Sequence, residues 1–162
     1  MEFQEKNVLV FGSGKSGIAA AELLEKQNAN IFVFEGNEKQ SVAEIKEKSE
    51  SFAKAEIYVG TLPEEVMDKL DFVVLSPGVP TDLPLVNAMR DKKIMIIGEI
   101  ELAYQVAKGK ILAITGTNGK TTTTTLVGEI LSNYFKDVKV VGNIGIPYTS
   151  VAADTTEETV TA

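Results

Sequence analysis

Residues 7–17, N-V-L-V-F-G-S-G-K-S-G, decide the fold class of this chain. The first five form a short, mostly apolar and β-branched run that ends at a glycine, which predicts a buried strand. Gly12, Gly14 and Gly17 fit the spacing G-x-G-x-x-G, which is typical of a tight turn from a strand into a helix. This stretch therefore predicts the opening strand, turn and helix of a βαβ unit.

The same alternation of strand and helix continues over about the first hundred residues. Further strands are predicted at residues 30–34, 56–59, 72–75 and 94–97, and helices at residues 18–25, 41–51 and 83–90. Strands that alternate with helices favour a parallel sheet with right-handed crossovers. We therefore predict an α/β fold with a doubly wound, Rossmann-like parallel sheet.

The pattern then begins again, with a helix at 99–107, a strand at 110–115, a helix at 121–134 and a strand at 138–141. We predict one domain over residues 1–93 and the truncated start of a P-loop-type α/β ATPase domain over residues 94–162. One such strand–loop–helix–strand unit cannot bury both faces of its sheet. Because residues 159–162 look like the opening of another strand, we expect the chain to stop within this second domain.

The composition of the 162 residues excludes several kinds of function. The formal net charge is −7, so there is no basic excess to neutralise a nucleic acid. There are no cysteines and no histidines, which removes disulfides, thiolate metal sites and imidazole chemistry. No apolar run approaches the ~20 residues of a membrane span, and the first six residues do not resemble a signal peptide.

Residues 111–125, I-L-A-I-T-G-T-N-G-K-T-T-T-T-T, carry the sharpest functional signal. Gly116 and Gly119 allow the backbone to approach an anion closely, and the following helix N-terminus points its N–H groups at it. Lys120 would reach the terminal phosphates of a nucleotide, and the Thr121 hydroxyl could bind Mg²⁺. The usual P-loop spacing requires a glycine where Ile114 stands, so this loop is a shorter variant.

The string T-G-T-N-G-K-T-T at residues 115–122 closely resembles the ATP-binding signature of the Mur ligase and folylpolyglutamate synthetase superfamily. The resemblance implies that ATP and Mg²⁺ are cofactors. It implies catalytic roles for Lys120 and Thr121, with Thr121 as the metal ligand. The implied ATP-binding residues are Gly116, Thr117, Asn118, Gly119, Lys120, Thr121 and Thr122.

The first glycine loop alone fits an NAD or FAD site, with Glu35 as the ribose-binding acid about 20 residues later. Its glycines could also serve only close strand–helix packing. The Mur ligase resemblance implies instead that this loop binds the uridine diphosphate of a substrate. Residues 76–80, S-P-G-V-P, and residues 142–145, G-N-I-G, also match that family, although both fit plain turns. The implied substrate-binding residues are Gly14, Lys15, Ser16, Glu35, Gly36, Ser76, Pro77, Gly78 and Asn143.

The resemblance implies an ATP-dependent amide ligase of peptidoglycan precursor synthesis in the cytoplasm. The first loop and S-P-G-V-P favour the D-glutamate-adding branch over the L-alanine-adding one. The implied partners are UDP-N-acetylmuramoyl-L-alanine and D-glutamate, with neither nucleic acid nor membrane, and the oligomeric state is open. Residues 98–102, G-E-I-E-L, resemble the segment that links the family's first two domains, so we assign them a structural role.

We expect the 162 residues to lack ligase activity by themselves, because further residues that the family uses are not among them. Three alternatives remain at this point. A nicotinamide-binding module would bind NAD and not UDP-sugars. A P-loop switch or assembly NTPase would bind nucleotide through Lys120 and ignore uridine compounds. A purely structural α/β domain would bind no nucleotide.

Overall fold

The computed structural model describes residues 2–142 and 145–162. The first part of the chain forms a five-stranded parallel sheet in the order β3-β2-β1-β4-β5. Its strands are β1 (Asn7–Phe11), β2 (Asn30–Glu35), β3 (Glu56–Val59), β4 (Phe72–Leu75) and β5 (Met95–Gly98). The chain moves outward in one direction from β1 to β3 and then in the other from β4 to β5. The predicted doubly wound parallel sheet is confirmed, and its crevice lies where the direction reverses, beside β1.

Both faces of this sheet are covered, because alternate side chains of a strand point to opposite faces. Val8 and Val10 of β1 join one buried cluster, whereas Leu9 and Phe11 join the other. The helices are α1 (Lys15–Lys26), α2 (Val42–Lys46), α3 (Glu50–Lys54), α4 (Glu64–Met67) and α5 (Pro84–Asp91). This two-sided burial explains why the central strands β1 and β4 are nearly continuous apolar runs rather than alternating ones.

The single helix predicted over residues 41–51 is wrong, since the structure has two short helices there. Ser41 caps α2 through a capping box with Glu44. Ser49 caps α3 by accepting a hydrogen bond from the Phe52 amide. A serine that satisfies a free helix N–H favours a new start over continuation of the preceding helix. The short helix α4 was not predicted.

The strand β5 pairs along its length with β4 and belongs to the first sheet. A domain boundary after residue 93, as predicted, would cut this strand from its partner. A boundary after Gly98 keeps the sheet whole. The division of the chain into two domains is otherwise a prediction from sequence.

The remaining elements are α6 (Glu99–Val106), β6 (Lys110–Ile111), α7 (Lys120–Ser132), β7 (Val138–Lys139), α8 (Tyr148–Val151), a 3₁₀ turn (Ala152–Asp154) and β8 (Val160–Thr161). The three strands form a second parallel sheet in the order β6-β8-β7. Of the strand predicted over 110–115, only Lys110 and Ile111 form β6; the Leu112 amide still donates to the Thr161 carbonyl at 2.8 Å, and the rest runs on towards the loop. Several large apolar side chains of this unit are exposed, as expected of a unit that cannot cover both sheet faces: Leu112, Leu126, Ile130, Val140 and Ile146.

Helix α8 packs against α1 and α6. Tyr148 of α8 and Ala152 of the 3₁₀ turn are buried in the same cluster as Val8 and Val10. The second unit therefore contributes directly to the core beneath one face of the first sheet. Across residues 2–142 and 145–162, no helix has the length and apolar character that crossing a bilayer requires.

Candidate functional site

The first glycine loop lies at the carboxyl end of β1, between β2 and β4. Gly12 has φ of 108° and donates its N–H to the Phe34 carbonyl at 2.8 Å. A Cβ on Gly17 would lie 1.9 Å from the Gly12 carbonyl oxygen, so α1 can begin this close to the strand only with glycine there. Gly14 caps α1 without a side-chain hydrogen bond, which leaves first-turn N–H groups for an anion.

Glu35, at the end of β2, accepts hydrogen bonds from this loop through its carboxylate. One oxygen accepts hydrogen bonds from the Ser13 amide at 3.1 Å and the Ser13 hydroxyl at 2.6 Å. The other accepts from the Asn37 amide at 2.9 Å. Burial would raise the pKa of Glu35, but the hydrogen bonds from Ser13 and Asn37, with the charge of Lys48, outweigh burial and lower it. Glu35 is therefore an anion at neutral pH, and it stabilises the loop through its hydrogen bonds with Ser13.

Lys48 reaches the same loop from the connection between α2 and α3. Its ammonium group donates to the Ser13 carbonyl at 3.1 Å, the Ser13 hydroxyl at 2.8 Å and the Gln40 side-chain oxygen at 2.5 Å. Ser13 itself is only 1% exposed. No local motif joins Ser13 to Gln40 and Lys48, which lie 27 and 35 positions later, so the sequence does not predict these contacts.

The segment after β4 lies against the first loop. The Ser76 amide donates to the Phe11 carbonyl at 3.1 Å, which continues the pairing of β4 with β1. A Cβ on Gly12 would lie 2.9 Å from the Ser76 hydroxyl oxygen. Pro77 and Gly78 are exposed, in a turn closed by the Val79 amide and the Ser76 carbonyl at 3.0 Å. The structure therefore brings Ser76 beside the glycine loop and places Pro77 and Gly78 at its surface.

Two more side chains at the start of α1 differ in their exposure to solvent. Lys15 is exposed, whereas Ser16 is half-buried and lies near Glu99. Glu99, the first residue of α6, is only 2% exposed, and neither of its carboxylate oxygens has a hydrogen bond of full geometry with the described residues. Burial raises the pKa of Glu99, and the nearby Ser16 hydroxyl opposes part of that rise.

The second glycine loop connects β6 to α7. Gly119 is the N-cap of α7 and adopts a left-handed conformation with φ of 75°, which favours glycine. The Lys120 ammonium folds back over the loop and donates to the Gly116 carbonyl at 2.5 Å and the Thr117 carbonyl at 3.4 Å. The first turn of α7 has no side-chain cap, so its N–H groups are open to an anion. Its first hydroxyl, that of Thr121, is exposed.

These donors fit a nucleotide phosphate better than a metal ion alone. Within residues 2–142 and 145–162 there is no group of three or more histidines, cysteines, aspartates or glutamates that could hold a metal. Thr121 supplies a single hydroxyl oxygen, and Mg²⁺ in such sites takes further oxygens from substrate phosphates and water. Lys120 and Thr121 also line a cavity of about 400 Å³, together with Ile114, Val140, Tyr148 and Thr161.

The structure thus gathers Gly14, Lys15, Ser16, Glu35 and Ser76 around the first loop. The glycine loop of residues 116–119 opens onto the first turn of α7. Gly36 is exposed directly after β2. Asn143 lies outside the described residues. The binding roles assigned to all of these positions are predictions from sequence.

The fold and its two loops define an α/β protein in which each parallel sheet carries a glycine turn that opens a helix. Two protein-family models match it: "Mur ligase MurD-like, N-terminal domain" over residues 6–98 and "Mur ligase middle domain" over residues 114–162. The chain belongs to the Mur ligase family. The resemblance stated from the sequence is therefore confirmed.

Relatives include proteins named UDP-N-acetylmuramoylalanine--D-glutamate ligase. The one from Lachnoclostridium phytofermentans is 53% identical over 161 residues, covering 99% of this chain and 36% of the relative. The one from Lachnospira eligens is 48% identical over the same span, again covering 99% of this chain and 36% of the relative. This chain therefore spans 36% of the length of these relatives.

Two solved structures share the fold. A pseudomurein peptide ligase type C from Methanothermus fervidus matches with a TM-score of 0.54 and 21% identity, covering 97% of this chain and 32% of that one. A UDP-N-acetylmuramate:L-alanyl-gamma-D-glutamyl-meso-diaminopimelate ligase from Neisseria meningitides matches with a TM-score of 0.56 and 16% identity, covering 96% and 51%. At these identities the likeness concerns the fold alone.

Proposed function

We propose that this chain is the substrate- and ATP-binding part of an ATP-dependent amide ligase that joins D-glutamate to UDP-N-acetylmuramoyl-L-alanine. The observation that carries the proposal is that each of two parallel sheets has its own glycine loop opening a helix. One such loop suits a diphosphate, and two suit an enzyme that binds two phosphorylated molecules. The names of the 53% and 48% identical relatives support the choice of D-glutamate.

The first loop is the proposed site for the uridine diphosphate. Open amides at the start of α1, with Lys15 beside them, would attract its phosphates. The remaining proposed contacts, at the ends of β2 and β4 and after β7, are Ser16, Glu35, Gly36, Ser76, Pro77, Gly78 and Asn143. Glu35 keeps one oxygen with a single hydrogen bond, from Asn37, which can accept a further donor from the nucleoside.

The second loop is the proposed site for ATP, as expected for the ATP-dependent Mur ligase family. Its residues are Gly116, Thr117, Asn118, Gly119, Lys120, Thr121 and Thr122. In the structure the Lys120 ammonium is held by two backbone carbonyls, and it would exchange these partners for phosphate oxygens. When bound with the nucleotide, Mg²⁺ would neutralise phosphate charge as a Lewis acid, and Thr121 would hold it.

The proposed reaction forms an amide from two ionised reactants. The terminal carboxylate of UDP-N-acetylmuramoyl-L-alanine attacks the γ-phosphorus of ATP, giving an acyl phosphate and ADP. The amine of D-glutamate then attacks the acyl carbon and phosphate leaves, with loss of the amine proton. Lys120 stabilises negative charge on the transferring phosphoryl group. Since ATP and UDP-linked precursors are cytoplasmic metabolites, we place the reaction in the cytoplasm.

The test is calorimetric titration of the 162-residue chain with UDP-N-acetylmuramoyl-L-alanine, with Mg-ATP and with NAD. We expect the first two to bind and NAD not to bind. Lys120→Ala should weaken ATP binding at least about tenfold and leave the UDP-linked ligand unaffected, since one charge-assisted phosphate contact is lost. Lys15→Ala should weaken binding of the UDP-linked ligand and leave ATP binding unaffected. Lys46→Ala, at an exposed position of α2, serves as the charge-matched control. Binding of NAD without the UDP-linked ligand would overturn the proposal.

A further inference from the structure

We infer that Lys48 is a positioning residue. By holding the first glycine loop, Lys48 sets the direction of the loop amides that receive a nucleoside diphosphate. This inference rests on the proposed function. Lys48 belongs to neither the glycine motif nor the predicted site. It acts on the ligand through Ser13, the second residue of the loop.

All three N–H groups of the Lys48 ammonium are engaged by the protein. They donate to the Ser13 carbonyl at 3.1 Å, to the Ser13 hydroxyl at 2.8 Å and to the Gln40 side-chain oxygen at 2.5 Å. An ammonium group has three donors and no acceptor, so Lys48 has none left for a ligand without breaking one of these bonds. Its contribution is therefore to hold the loop rather than to bind phosphate directly.

The hydrogen bonds form a directed chain across the loop. Lys48 donates to the Ser13 hydroxyl, which donates in turn to Glu35 at 2.6 Å. The Ser13 amide also donates to Glu35, at 3.1 Å. Both peptide units that flank Ser13 are thus fixed, one through its N–H by Glu35 and one through its carbonyl by Lys48.

The orientation of the second peptide unit determines where the Gly14 amide points. In a trans peptide the carbonyl and the N–H point to opposite sides, and the described residues contain no cis peptide bond. Since the Ser13 carbonyl points towards Lys48, the Gly14 N–H points away from Lys48. Gly14 is the N-cap of α1, where an anion would be received. A glycine peptide without this anchor would be free to rotate.

Lys48 is itself held in place by its surroundings. It lies between α2, which begins with the Ser41–Glu44 capping box, and α3, which Ser49 caps. Its amide donates to the Ile45 carbonyl at 3.1 Å, and Ile45 is fully buried. The lysine therefore extends from an anchored turn, and its binding to Ser13 arranges the loop before a ligand arrives.

The experiment compares Lys48→Met with Lys46→Met, which removes the same charge two residues earlier. UDP binding by the 162-residue chain is measured by calorimetry, and exchange of the Ser13 and Gly14 amides by hydrogen–deuterium NMR. For Lys48→Met we expect about tenfold weaker UDP binding, because one anchored peptide is released, with faster Ser13 exchange and unchanged ATP affinity. Lys46→Met should change neither measurement by more than about twofold.

A third variant, Lys48→Arg, separates position from charge. The guanidinium keeps the charge, but its planar donors cannot converge on the three oxygens as an ammonium does. We expect it to remain several-fold weaker than the unmodified chain. Full recovery by Lys48→Arg, or equal effects of Lys48→Met and Lys46→Met, would overturn the inference. If the unmodified chain does not bind UDP, the proposed function fails, and Ser13 exchange alone then decides whether Lys48 holds the loop.

Discussion

Glu99 is the residue whose side chain is least well satisfied near the first loop. It is 2% exposed, and its carboxylate oxygens lack hydrogen bonds of full geometry within the described residues. Burial raises the pKa of Glu99, with partial opposition from Ser16. A raised pKa in the folded state means that the folded protein binds the proton more tightly than the unfolded chain. Stability must then fall as the pH rises from the ordinary glutamate pKa through the raised one.

We predict that Glu99→Gln is more stable than the unmodified chain above neutral pH. The difference should disappear as the pH falls through the ordinary glutamate pKa, because the carboxyl is then protonated in both the folded and the unfolded state. The gain should be on the order of 1–3 kcal/mol, because the deprotonated Glu99 carboxylate is a buried charge without partners, whereas the glutamine amide is neutral. Urea unfolding between pH 4 and pH 8.5 measures it. Glu101→Gln, on the exposed side of the same helix, is the control, and parallel pH profiles for Glu99→Gln and the unmodified chain would refute the prediction.

At the scale of elements, the contact between the end of β1 and the start of α1 depends on Gly17. An added Cβ would lie 1.9 Å from the backbone oxygen of Gly12, which cannot move without displacing β1. Gly17→Ala gains about 1 kcal/mol of helix propensity but forces strand and helix apart. We predict a net loss of about 2–3 kcal/mol in the free energy of unfolding, as for other overpacked sites.

The control for this prediction is Gly14→Ala, three residues earlier. A Cβ on Gly14 would meet no atom within 4 Å, and its backbone is extended, so alanine fits there. We expect this variant to lose less than about 1 kcal/mol in urea unfolding, which is the cost of a poorer N-cap. Equal losses for the two variants would show that close packing of α1 on β1 is not what Gly17 provides.

The elements also show what local sequence can and cannot predict. All five strands of the first sheet were predicted to within a residue, because short, mostly apolar runs next to glycine are a local signal. The break between α2 and α3 was missed, since the apolar spacing of residues 41–51 suits one helix and Ser49 acts as a cap only in the folded chain. In the candidate site, the glycines and Glu35 follow a fixed spacing. Lys48 reaches Ser13 across 35 residues, so its role emerges only from tertiary structure.

At the scale of the whole molecule, the two sheets differ in how well they are protected from solvent. The first has strands of four to six residues with buried side chains on both faces. The second has three paired strands of two residues each, next to exposed Leu112 and Val140. Local opening requires least free energy where few apolar contacts are lost, so the second sheet should open first.

Helix α8 makes this expectation more specific, because it follows the second sheet's β7 in sequence but packs against α1 and α6. We predict that hydrogen exchange measured by mass spectrometry gives greater protection to β1 and β4 than to β6 and β7. Peptides covering Tyr148–Val151 should be protected from exchange to the same degree as the first sheet, because Tyr148 and Ala152 lie in its core. Addition of sub-denaturing urea should increase the difference in protection between the two sheets, since the second sheet then opens while the first sheet and α8 stay folded together. If α8 instead exchanges with β6 and β7, its packing on α1 does not couple it to the first sheet, and the shared core is energetically unimportant.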